Sequence, residues 1–189
     1  MEIEADLVLP RLLTALGVED CVLVGHSDGG TIALNYAAAD PEPLRAVVTL
    51  AAHAINEPVC VEAITRARAA FASGDLRQKL AKYHDDVDGA FHLWADAWVA
   101  PGFEPMDANR RLPGVVVPVQ AIQGEDDEYG SMAQVEAIAS GARNSAGVEL
   151  LKLADCRHSA HKDQTVAVIE AINRFVENLD LAVPSAPTP

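Results

Sequence analysis

The run Gly25-His26-Ser27-Asp28-Gly29-Gly30 sets a serine between small residues in the spacing G-x-S-x-G. A serine raised on a tight turn between a strand and a helix exposes its hydroxyl for attack on a carbonyl. Such a turn strains the backbone and crowds its neighbours, so Gly25 and Gly29 are expected to sit where no side chain fits. The plainer alternative is a glycine-rich turn whose serine only caps the next helix. A hydroxyl is a poor nucleophile at neutral pH, so the catalytic reading needs a general base and a group that orients that base and stabilises its protonated form. Both residue types stand downstream. The acidic turn Gln123-Gly124-Glu125-Asp126-Asp127-Glu128-Tyr129-Gly130 offers several carboxylates, and Cys156-Arg157-His158-Ser159-Ala160-His161 offers two imidazoles. His158 lies nearer the end of the preceding apolar run and His161 falls at the start of the last helical pattern, which favours His158 as the base. A metal centre on this histidine pair is disfavoured, since no third ligand stands at a convincing spacing. The chemistry calls for no cofactor.

The elements around these residues follow from hydrophobic periodicity. Leu9, Leu12, Leu13 and Leu16 form a helical stripe ending at Gly17, with Pro10 in a first turn or at a kink. Cys21 to Gly25 reads as a short strand buried on both faces, and Thr31 to Ala39 returns to helix formers, so the serine stands between strand and helix. Further apolar runs at Ala46–Ala52, Val115–Gln123 and Val148–Leu153 read as strands. Helical patterns separate the last two runs (Met132, Val135, Ile138) and close the chain (Ile169, Ile172, Phe175, Leu179). This β and α alternation predicts a parallel sheet.

Residues 57–113 interrupt the rhythm with helical patterns and no good strand, and read as a helical cap. The expected organisation is therefore 1–56 as the part of the α/β core that carries the elbow, 57–113 as the cap, 114–182 as the rest of the core, and 183–189 as a disordered Pro/Ser/Ala tail. Phe91, Trp94 and Trp98 share one helix face and suit either cap-to-core packing or the wall of an apolar substrate pocket. His26, His53, His84 and His92 read as structural histidines, with His84 and Asp85 at a solvated helix end.

The segments G-H-S-D-G-G, Q-G-E-D-D-E-Y-G and C-R-H-S-A-H-K-D-Q together resemble the α/β-hydrolase superfamily, in particular bacterial carboxylesterase-like members with a helical cap, over nearly the whole chain. The resemblance implies a triad in the chain order serine, acid, histidine, each in a loop after a strand. It picks Asp127 over Asp126 and makes His158 the base. It also implies an oxyanion hole made by the backbone N–H of Asp28 and a second N–H from an upstream loop. Typical members carry several strands ahead of the elbow, whereas here the elbow comes at residue 27, so the chain is expected to hold the C-terminal half of the sheet. A fragment of a longer enzyme, a chain completed by another chain, or a degenerate relative acting as a binding or scaffolding module would each account for this. The elbow strand would then expose an apolar edge prone to self-association. The implied reaction is hydrolysis of a small carboxylic ester or related acyl substrate; carbon–carbon bond hydrolysis and perhydrolysis use the same triad.

Composition narrows the alternatives. The 189 residues carry a formal charge of −14, which argues against a nucleic-acid partner because that affinity comes largely from Lys and Arg on phosphates. No stretch reaches the roughly 18 apolar residues of a membrane span, and the acidic N-terminus is unlike a basic signal peptide, so a cytoplasmic location is expected. The three cysteines are odd in number and widely spaced, arguing against a disulfide framework.

Overall fold

A computed structural model describes residues 1–181; the expected tail at 183–189 lies outside the described residues. Four parallel strands, β1 (Cys21–His26), β2 (Leu44–Leu50), β3 (Val119–Gly124) and β4 (Val148–Leu153), form one sheet in the order β1-β2-β3-β4. The Val115–Gln123 run starts pairing only at Val119. Pro118 has no N–H to give a ladder, so the residues before it form a connector, with Val115 fully buried.

Side chains alternate across the sheet as a pleat requires. Leu23, Val47 and Ala121 face α2 (Asp28–Ala37) and α7 (Ala133–Gly141), whereas Val22, Val48 and Ile122 face α9 (Thr165–Leu181). Parallel strands need both faces covered, which explains why β2 and β3 are apolar and buried almost throughout. β1 departs from that pattern. It lies at the sheet edge, and Val24 is 54% exposed although its run reads as doubly buried.

An N-terminal helix, a π-turn at Glu4–Val8 running into α1 (Leu9–Ala15), packs Ala5 and Leu13 into the core. Pro10 sits at the start of α1, directly after the π-turn, where the helix changes its hydrogen-bond register. Gly17, at φ 65°, ends the helix in the left-handed conformation that a residue without Cβ adopts freely. Between β2 and β3 the chain forms a helical insertion: α3 (Pro58–Ser73), α4 (Leu76–Leu80), α5 (Val87–Trp98) and α6 (Ala108–Arg111). Its own core includes Cys60, Ile64, Phe71, Val87, Phe91 and Trp98, with Phe71 and Phe91 stacked at 3.9 Å. Among the described residues no helix is long and apolar enough to cross a membrane.

Candidate active site

Parallel register carries the ends of the strands to one edge. His26 pairs with Leu50, Leu50 with Ile122, and Gly124 with Leu153, so the loops after β1, β3 and β4 emerge side by side. Ser27 follows β1, Asp127 follows β3, and His158 follows β4.

The serine sits at φ 55° and ψ −124°, a backbone state that L-residues rarely adopt. The turn is held by Ser27 N–H donating to Leu50 O at 2.8 Å and by Gly30 N–H donating to Ser27 O at 2.9 Å. Gly25 is indispensable to this geometry, because a Cβ there would lie 2.3 Å from Gly29 O. Gly29 does not meet the crowding expected of it. It is exposed, a Cβ there would meet nothing, and the second crowded position is Gly30, whose Cβ would lie 2.8 Å from Ala52 Cβ. The reason is that the first turn of α2 brings its third residue, not its second, against β2.

Ser27 makes no side-chain cap on α2. Its Oγ instead lies 3.0 Å from His158 Nε2, and His158 Nδ1 lies 3.0 Å from both carboxylate oxygens of Asp127. The Asp127 side chain is 1% exposed. It accepts from Tyr129 N–H at 2.8 Å and from the Gln123 amide at 2.8 Å. Burial pushes the Asp127 carboxyl upward, but the hydrogen bond and charge of His158, with Tyr129 and Gln123, outweigh this and hold it below the usual carboxylate range. An ionised Asp127 fixes the Nδ1–H tautomer of His158 and leaves Nε2 free to accept the Ser27 proton. Asp126 is exposed, and its N–H is spent on Cys156 O at 2.9 Å, which joins the acid loop to the histidine loop. That junction is tight: a Cβ at Gly124 would lie 2.2 Å from Cys156 O.

Other residues at this edge gave no catalytic signal in the sequence. His26 Nε2–H donates to His158 O at 2.9 Å, and its ring also packs 4.8 Å from His161, an exposed residue of α8 (Ala160–Asp163). His53 is 2% exposed, donates from Nε2 to Tyr129 O at 3.2 Å, and meets the Trp98 ring edge-on at 5.0 Å. Burial lowers the basicity of both His26 and His53. Glu128 accepts from His158 N–H at 3.3 Å and from Arg157 at 3.1 Å, steadying the histidine loop. Gln123, 1% exposed, ties the acid to Gly130 O at 3.0 Å. A glutamine inside an apolar strand was the visible hint, since a buried amide must find partners.

The aromatic face of α5 packs within the insertion and borders two cavities. Phe91 and Trp98 are buried in the insertion's own core. Phe91 and Trp94 also line a cavity of about 380 Å³ with Tyr129, whose ring is 4.7 Å from His158. Exposed His84 borders this cavity too. Trp94 and Trp98 line a second cavity, of about 390 Å³, with Asp28. The N–H of Asp28 heads α2, where a helix supplies no internal acceptor. The three cysteines are free; burial pushes the Cys60 thiol up to about 12, which keeps it unreactive. Among the described residues no cluster of His, Cys, Asp or Glu is arranged to hold a metal.

Residues 1–84 match a family model described as the alpha/beta hydrolase fold. Similar solved structures include a carboxylesterase of the thaumarchaeon Nitrososphaera gargenis, at 20% identity and a TM-score of 0.72, covering 93% of this chain and 71% of that one. A thermophilic esterase of Thermogutta terrifontis is 22% identical with a TM-score of 0.63, covering 94% and 72%. A meta-cleavage product hydrolase of Pseudomonas fluorescens is 17% identical with a TM-score of 0.65, covering 90% and 69%. No curated protein matches the chain. The chain has the α/β-hydrolase fold, and its Ser27–His158–Asp127 network is that of a serine-hydrolase triad.

Proposed function

We propose that this chain hydrolyses carboxylic esters or closely related acyl compounds through an acyl-enzyme on Ser27. The carrying observation is the continuous relay from Ser27 Oγ to His158 Nε2 at 3.0 Å and from His158 Nδ1 to Asp127 at 3.0 Å. As Ser27 Oγ bonds to the substrate carbonyl carbon, its proton passes to His158 Nε2, and the carbonyl π pair moves onto oxygen. The Asp28 N–H donates to that oxyanion, and Asp127 stabilises the imidazolium. Collapse breaks the ester C–O bond, and the alcohol leaves with the proton from His158. Water then attacks the acyl carbon, His158 takes its proton, and that proton returns to Ser27 Oγ as the acid departs.

The substrate is a small molecule, and the insertion spanning 57–113 acts as its cap. Phe91, Trp94 and Trp98 supply apolar walls, with the cavity beside Tyr129 suited to an apolar substituent. A fluorophosphonate probe tests the reading. Labelling of Ser27 that vanishes in Ser27→Ala supports it. Folded protein that takes no label, and leaves short p-nitrophenyl esters intact, would show that the fold serves as a binding module instead.

A further inference from the structure

The mechanism uses only the backbone of Asp28, yet its side chain stands next to the nucleophile with its own setting. Asp28 is the first residue of α2, part-buried, and borders the cavity of about 390 Å³ whose walls include Ile32, Trp94, Trp98 and Phe103. Asp28 and Glu4 are the charged side chains among the described residues of that lining, which holds no Lys or Arg. Burial raises the Asp28 carboxyl, partly offset by hydrogen bonding from the Trp98 indole, by the nearby α-amino group of Met1, by the charge of His158 and by the Trp94 indole. The aromatic walls favour a cation as the carboxylates do, because the faces of Trp and Phe rings attract cations.

We propose that Asp28 is a specificity residue: the cavity it borders takes a protonated amine of the substrate, so the preferred esters carry an ammonium group within a few bonds of the reacting carbonyl, as α-amino-acyl esters do. This rests on the hydrolase reading above. The adjacency matters, because a charge bound one residue from the nucleophile orients the carbonyl as well as adding affinity. An acyl chain without the amine leaves this part-buried carboxylate with no cation opposite it, a penalty that discriminates more sharply than lost apolar contact.

The test compares two isosteric substrates, L-alanine benzyl ester and benzyl isobutyrate, in which a methyl group replaces the ammonium. Wild type should show a kcat/KM ratio of about 10- to 100-fold in favour of the alanine ester, and Asp28→Asn, which keeps the backbone N–H, should abolish most of that preference. A wild-type preference for the isobutyrate, or a ratio unchanged in Asp28→Asn, overturns the inference while leaving the triad reading intact. Turnover of neither ester, with Ser27 unlabelled by fluorophosphonate, instead removes the hydrolase reading and this inference with it. Should Asp28→Asn not fold, wild type alone decides: L-alaninamide must slow benzyl isobutyrate hydrolysis more than isobutyramide does, and equal inhibition rejects the subsite.

Discussion

Asp127 has its two oxygens on His158 Nδ1, with two further donors from Tyr129 and Gln123. Replacing it by Asn keeps the volume but offers an amide that supports the wrong imidazole tautomer. Asp127→Asn should therefore lower kcat by about 10⁴-fold with the fold intact. A fall of less than about tenfold would move the orienting role to another carboxylate, Asp126 and Glu128 being its two neighbours in sequence. Gln123 acts one step further out. It holds the acid from behind, and its other amide hydrogen bond ties the loop at Gly130. The relay needs His158 as a neutral imidazole, because an imidazolium cannot accept the proton from Ser27.

The strand-to-helix turn at Ser27 is crowded at Gly25 and Gly30 but open at Gly29. Gly25→Ala drives a Cβ against Gly29 O and should destabilise the protein by about 1–3 kcal/mol while displacing Ser27. Gly29→Ala points into open space and should change stability by no more than about 1 kcal/mol, towards greater stability, since Ala is the better helix former. Chemical unfolding of the two variants side by side checks this; equal losses would show that the spacing, not the contact, governs the turn. The acid and histidine loops form a second tight unit, joined at Gly124 and steadied by Glu128 and His26. The insertion meets this unit through Tyr129 and His53, so cap and catalytic loops share a wall.

Across the whole molecule, pH acts on stability through buried histidines. Burial lowers the basicity of His53 and His26, so each binds a proton less readily folded than unfolded. Their stabilisation is complete above the unfolded value of about 6.5 and is lost as pH falls from there through the lower folded values. Asp127, held low, contributes stability that is complete above the unfolded value of about 3.9 and is lost as pH falls from there, so it acts outside this window. The urea midpoint should drop between about pH 7.5 and pH 5.5, and His53→Gln should shrink the drop; a midpoint that rises on acidification contradicts the assignment. The second molecular feature is the edge at β1, where Val24 is 54% exposed. An apolar open edge invites pairing between copies. Concentration-dependent association should appear in analytical ultracentrifugation and weaken in Val24→Lys; a monomer at all concentrations rules it out.

Read alone, the sequence determined what local rules can determine. Alternating periodicity announced a parallel sheet, G-x-S-x-G between an apolar run and helix formers marked the elbow, and the insertion announced itself by lacking strands. These features depend on neighbours a few residues away, so they are written in short windows. The residues alone left Asp127 and Asp126 open and only the resemblance chose Asp127, because the choice depends on which carboxylate the acid loop turns inward once Gly124 packs on Cys156. The late start of β3, set by Pro118, was not written there either, nor was the open space at Gly29, which only the placement of β2 reveals. His26, His53 and Glu128 are separated from His158 in the chain and meet it only after the sheet aligns its strand ends. Tertiary structure alone brings them together, since only the packed sheet sets distances between residues a hundred positions apart.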